Sequence, residues 1–156
     1  MFGRIVNRVR DMFAPRSVVV KNPRVISADE HRIDPALVSA EARATCEALK
    51  RRGFQAYIVG GAVRDLMLGV TPKDFDVATD ATPEQVKRCQ RRAVIIGRRF
   101  KLVHVIFGRE IIECSTFRAL EGAGQRKDAT GRVVSDNVFG EMWEDAARRD
   151  FTINAL

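Results

Sequence analysis

Between Tyr57 and Thr79 the chain reads YIVGGAVRDLMLGVTPKDFDVAT, and few folds accept that run. An apolar stretch ends on the adjacent glycines Gly60 and Gly61. A short amphipathic segment follows, Gly69 and Pro72 interrupt it, and the next apolar stretch carries Asp74 and Asp76 around Phe75. The order predicts strand, glycine bend, short helix, turn and strand. Side chains alternate along a strand, so Asp74 and Asp76 are expected on one face, with Phe75 turned into the core. Carboxylates held that close repel each other unless a cation lies between them. Magnesium suits such a pair, because it takes a few carboxylates and completes its shell with substrate phosphates. Bare glycine backbone at a helix start offers N–H groups on which a phosphate can rest. The combination predicts metal-assisted chemistry on a nucleotide.

Gly60-Gly61 followed by Asp74-Phe75-Asp76 resembles the core of the nucleotidyltransferase superfamily that includes DNA polymerase β. The fuller run Gly60-Gly61-Ala62-Val63-Arg64-Asp65 is similar to the bacterial tRNA nucleotidyltransferase and poly(A) polymerase family. That resemblance implies an α+β palm whose mixed, mostly antiparallel sheet is flanked by helices. It implies template-independent transfer of AMP from ATP to an RNA 3′ end by two-metal phosphoryl chemistry, with Mg2+ at Asp74 and Asp76. Gly60, Gly61 and Arg64 match positions that hold the incoming triphosphate, and Arg149 matches a further nucleotide contact.

For the third carboxylate there are two candidates. Asp150 lies in RRDFTIN, which resembles a family motif, and is preferred. Glu113 lies on a strand that in the family runs beside the aspartate pair, and is its competitor. Residues 97–108 and 136–140, with Glu144-Asp145-Ala146, are closer to the poly(A)-polymerase branch than to the CCA-adding branch. A CCA-adding tRNA nucleotidyltransferase is the alternative within the family. A non-catalytic RNA-binding module is the alternative of another class. In the family, helical neck, body and tail domains follow the palm and select the base. None is found in these residues, so the chain is expected to be feeble or inactive alone.

The 156 residues are enough for one domain. Lys and Arg number 27 against 20 Asp and Glu, a net charge of +7 that favours a polyanionic partner such as RNA. Cys46, Cys89 and Cys114 are odd in number and far apart in sequence, which indicates neither a zinc site nor a disulfide framework. A reduced, cytoplasmic setting fits. No run approaches the ~20 apolar residues of a membrane span.

Residues 1–33 are expected to form a basic arm, helical over Met1–Phe13, and a linker containing an exposed, idle His31. Residues 34–156 are expected to form the palm. Asp34-Pro35 predicts a helix start, with Leu37, Ala40, Ala44 and Ala48 on its buried face and Gly53 at its end. Strands are expected over Phe54–Val59, Ala93–Ile96, Leu102–Phe107 and Glu110–Thr116. Thr82 and Gln85 form a capping-box pattern, and Gly108-Arg109 a two-residue hairpin loop. His104 is expected to be a satisfied core histidine. Residues 119–137 are expected to be a mobile loop, and a helix is expected before Arg149.

Overall fold

The structure is a computed structural model, and it describes residues 24–98, 100–120, 126–127, 133–135 and 139–156. The expected N-terminal helix over Met1–Phe13 lies outside the described residues. Strands β1 (Ala56–Val59), β2 (Asp76–Thr79), β3 (Ala93–Ile96), β4 (Leu102–Phe107) and β5 (Glu110–Thr116) form one sheet, in the order β1-β2-β5-β4-β3. Only β2 and β5 in this sheet run parallel; its other three pairings are antiparallel. The mixed, mostly antiparallel α+β architecture is the one the sequence implies.

Helices cover one face of the sheet. α1 (Ala28–His31) is a single turn. α2 (Ala40–Lys50) packs on β1, β2 and β5, α3 (Gly61–Met67) on β1, and α4 (Pro83–Cys89) on β3, β4 and β5. Alternation in β5 decides the layering. Ile112 and Cys114 are buried with Val77, Val103 and Val105, whereas Glu113 and Ile111 stay outside. Leu49 and Val86 close the core from the helices. Each such aliphatic side chain contributes about 1.5–3 kcal/mol by leaving water.

The region expected to be one helix from Asp34 is two elements. Asp34 caps a 3-10 turn, Pro35–Leu37, by accepting from the Ala36 N–H at 2.9 Å. Ser39 then caps α2 through the Ala42 N–H at 3.2 Å. The restart rotates the buried face, which is Ala42, Thr45, Cys46 and Leu49 rather than Ala40, Ala44 and Ala48. His31 is half-buried, and its Nδ1 accepts from the Ile33 N–H at 3.0 Å, so it is not idle. The Thr82–Gln85 capping box is present, and Gly108 turns the β4–β5 hairpin at φ 61°.

The stretch expected to be a loop contains two short antiparallel strands, β6 (Arg126–Lys127) and β7 (Val133–Ser135); its residues 121–125, 128–132 and 136–137 lie outside the described residues. α5 (Met142–Ala147) and a 3-10 turn, Thr152–Asn154, complete the described chain. No helix among the described residues is long and apolar enough to cross a membrane.

Candidate active site

The glycine bend sits where β1 delivers the chain to α3. Gly60 has φ 77° and ψ −142°, a conformation that a side chain resists, and it serves as the N-cap of α3. A Cβ at Gly60 would stand 3.4 Å from Arg149 Nη1 and 3.8 Å from Asp76 Oδ2. At Gly61 it would stand 3.5 Å from Arg64 Nη2. The bend is therefore walled by two guanidinium groups and one carboxylate.

Pairing places the acids. Asp76, the first residue of β2, lies opposite Val59 on one side and Glu113 on the other. Asp74 precedes the strand instead of lying in it; both aspartates are exposed, and Phe75 between them is buried. Although its surface is exposed, partial desolvation at the start of β2 pushes the Asp76 carboxyl above its ordinary value. Glu113 pushes it further, the nearby Arg149 guanidinium pulls it down, and Asp74 raises it again. Asp150 is exposed in the turn after α5 and is not among the charges acting on Asp76. Glu113 faces His104, with Oε2 3.6 Å from Nε2. His104 is thus half-exposed on the outer face of the sheet, not enclosed in the core.

The arginines are held from behind. Arg64 donates through Nε to Asp65 Oδ1 at 2.8 Å and through Nη1 to Asn154 Oδ1 at 3.0 Å. Arg149 donates to the Asn154 carbonyl and to Asp145 Oδ2, both at 3.4 Å. Asp145 is 4% exposed and also accepts from Arg148 Nε at 3.0 Å and from the Arg118 N–H at 3.1 Å. Arg148 Nη2 also lies 2.8 Å from Asp145 Oδ1. Asp145 and Asn154 are positioning groups that motif reading passed over. The only local signal for Asp145 was its spacing of three and four residues before Arg148 and Arg149. Asn154 lies in the RRDFTIN run, which does not reveal its partner Arg64, 90 positions away in sequence.

The acids suit a hard cation in part. Among the described residues, no three His, Cys, Asp or Glu side chains converge into a ready metal cage. Two or three carboxylates in mutual repulsion are what magnesium uses when substrate phosphates supply its remaining ligands. Asp74 and Asp76 therefore suit that ion as a pair, with Glu113 beside Asp76 in the sheet register.

The glycine bend, the two anchored arginines and Asp76 thus lie together at one end of the mixed sheet. The CCA-adding enzyme of Bacillus stearothermophilus, solved in complex with CTP, superposes with a TM-score of 0.58 at 35% identity, over 78% of this chain and 27% of that one. A family model described as the poly(A) polymerase head domain matches residues 56–156, and the chain belongs to that family. It is 51% identical over 138 residues to poly(A) polymerase I of Haemophilus influenzae, covering 85% of this chain and 30% of that protein. Against poly(A) polymerase I of Salmonella typhi it is 43% identical over 169 residues, covering 100% of this chain and 36% of that one. The chain spans about a third of the length of these curated relatives.

Proposed function

We propose that residues 34–156 act as the head of a template-independent RNA nucleotidyltransferase that adds AMP from ATP to RNA 3′ ends. The observation that carries this reading is the meeting of Asp76 with the diglycine bend and Arg149 at one end of the sheet. The bend, whose Gly60 N–H donates to the Leu156 carbonyl at 3.4 Å, and the guanidinium groups of Arg64 and Arg149 would hold the triphosphate, the latter by charge-assisted, forked hydrogen bonds. Asp74 and Asp76 would hold Mg2+. Its register with Asp76 supports Glu113 as the third carboxylate over Asp150, the candidate preferred from the sequence. Held by these carboxylates, the metal would supply Lewis-acid polarisation of the RNA 3′-hydroxyl and charge neutralisation for the departing pyrophosphate. The chain's own residues align the α-phosphorus with that hydroxyl, and positioning supplies most of the catalysis in phosphoryl transfer. A cytoplasmic location accords with this reading.

Titration calorimetry tests it. ATP is expected to bind more tightly with magnesium than without, and Asp74→Asn with Asp76→Asn is expected to remove that difference. ATP binding indifferent to both metal and variant would refute the reading. Likeness to the CCA-adding enzyme solved with CTP supports a second reading, a tRNA nucleotidyltransferase. A product that stops after CCA, in place of a run of adenylates, decides for it.

A further inference from the structure

β3 is an edge strand: in the order β1-β2-β5-β4-β3 it pairs with β4 alone. One contact sets its hydrogen-bonding phase. The Ile106 N–H donates to the Arg92 carbonyl at 2.8 Å, so Arg92 and Ile106 form a bonded pair. Bonded pairs alternate along an antiparallel ladder, and the register then makes Val94–His104 and Ile96–Leu102 bonded pairs as well. Ala93 and Ile95 therefore turn their N–H and C=O groups outward, away from β4. Among the described residues no strand or loop backbone meets them.

Open edges are ordinarily blunted by a charge, a proline or a bulge within the strand. β3 reads Ala93-Val94-Ile95-Ile96 and has none of these; its register against β4 is unbroken. Val94, on the face away from the helices, is 49% exposed. The charge stands at the two ends instead. Arg91 and Arg92 precede the strand, and Arg98 follows it after Gly97. All three are exposed, and among the described residues none is ion-paired.

That cationic bracket selects the occupant. A second copy of β3 laid antiparallel sets Arg91 and Arg92 against Arg98 of the other copy; laid parallel, it sets each arginine against itself. Both arrangements oppose like charges across a ladder. The chain's own Val18–Val20 run lies between Arg16 and Lys21 and carries the same sign. A nucleic acid has the opposite sign but no amide ladder to offer Ala93 and Ile95. An extended protein segment with apolar residues between acidic ends meets both demands.

We propose that β3 is the docking edge for a partner protein, which adds an acid-flanked apolar segment to the sheet as a further strand. The proposal does not depend on the transferase reading, since β5 and β4 stand between β3 and the strand that carries Asp76. An NMR titration of the full chain tests it, with a synthetic peptide of alternating valine and threonine between two glutamate pairs. The peptide is expected to shift the Ala93 and Ile95 amides and to slow their hydrogen exchange several-fold. Of two peptides N-methylated at alternate amides, in opposite phases, at least one is expected to lose binding. Arg91→Glu/Arg98→Glu is expected to weaken binding of the glutamate peptide roughly tenfold or more. The same variant is expected to take up the peptide with lysine pairs, which the wild type rejects. That exchange of preference separates a lost charge match from a misfolded chain. Equal binding of the glutamate and lysine peptides by the wild type overturns the proposal. So does full affinity of both N-methylated peptides, no binding of the glutamate peptide at low salt, or its displacement by an oligoadenylate. A wild-type dimer in sedimentation that the peptide dissociates would assign the edge to a second copy and overturn it too.

Discussion

The cationic and anionic halves of the site are built on opposite terms. Arg64 and Arg149 are tied from behind by Asp65, Asp145 and Asn154, so their positions are fixed by the protein. Asp74, Asp76 and Glu113 are crowded by one another, and Asp76 is opposed chiefly by Arg149. One half is complete as folded. The other is short of positive charge, and a ligand must bring it. On the proposed function, a site divided this way is expected to bind a metal–nucleotide complex better than either component, because each half meets its complement only when both arrive.

The comparison is broken most sharply at Asp76. Asp76→Ala is expected to reduce AMP incorporation by roughly 10²–10³-fold, the order of loss when one electrostatic group leaves a preorganised site. Single-nucleotide extension of labelled RNA by the chain, or by a protein carrying this head, measures it. On the cationic side, Asp145→Ala leaves two arginines without their buried partner. It is expected to lower stability by about 3 kcal/mol in urea unfolding, the lower end for breaking a buried ion pair.

Gly60→Ala forces a side chain into a glycine conformation beside Arg149. It is expected to cost about 1–3 kcal/mol in the same unfolding assay and to weaken ATP binding. Glu113→Gln against Asp150→Asn sharpens the choice of third carboxylate. The first is expected to raise the magnesium concentration needed for ATP binding several-fold, and the second to leave it unchanged; the reverse outcome would restore Asp150.

The smallest effect is on pH dependence. The folded-state pKa of Asp76 is raised, so the folded chain holds that proton more tightly than the unfolded chain does. The stability this gives is full below the unfolded value, about pH 4, and is lost as pH rises through the folded one. Asp76→Asn is therefore expected to melt above the wild type near neutral pH without metal, with the gap closing towards pH 4. Added magnesium is expected to raise the wild-type melting temperature more at neutral than at acid pH. Differential scanning fluorimetry across that range checks both.

Much of this was legible in the residues, for local reasons. Alternation in Glu110–Thr116 gave the layering, and Thr82 with Gln85 gave the start of α4, because each signal lies within a few residues. The phase of α2 was misjudged because two capping residues, Asp34 and Ser39, stand close together, and the second restarts the helix. Asp74 and Asp76 were identified as a pair, but Asp74 stops short of the ladder that holds Asp76. The network behind the arginines was hidden for a different reason. Asn154 and Arg64 are 90 positions apart in sequence, and no periodicity encodes such a contact.

The parallel seam between β2 and β5 has an effect on assembly order. After β2 the chain must pass through α4, β3 and β4 before β5 can dock. The β3–β4–β5 meander pairs strands adjacent in sequence, and none of its own pairings involves Asp76. Glu113 meets Asp76 only at closure, so the repulsion that prepares the site is charged against the finished sheet and not against its early pieces. A nascent chain can thus zip up its meander unhindered, and the electrostatic tension arises in the same step that makes the site usable.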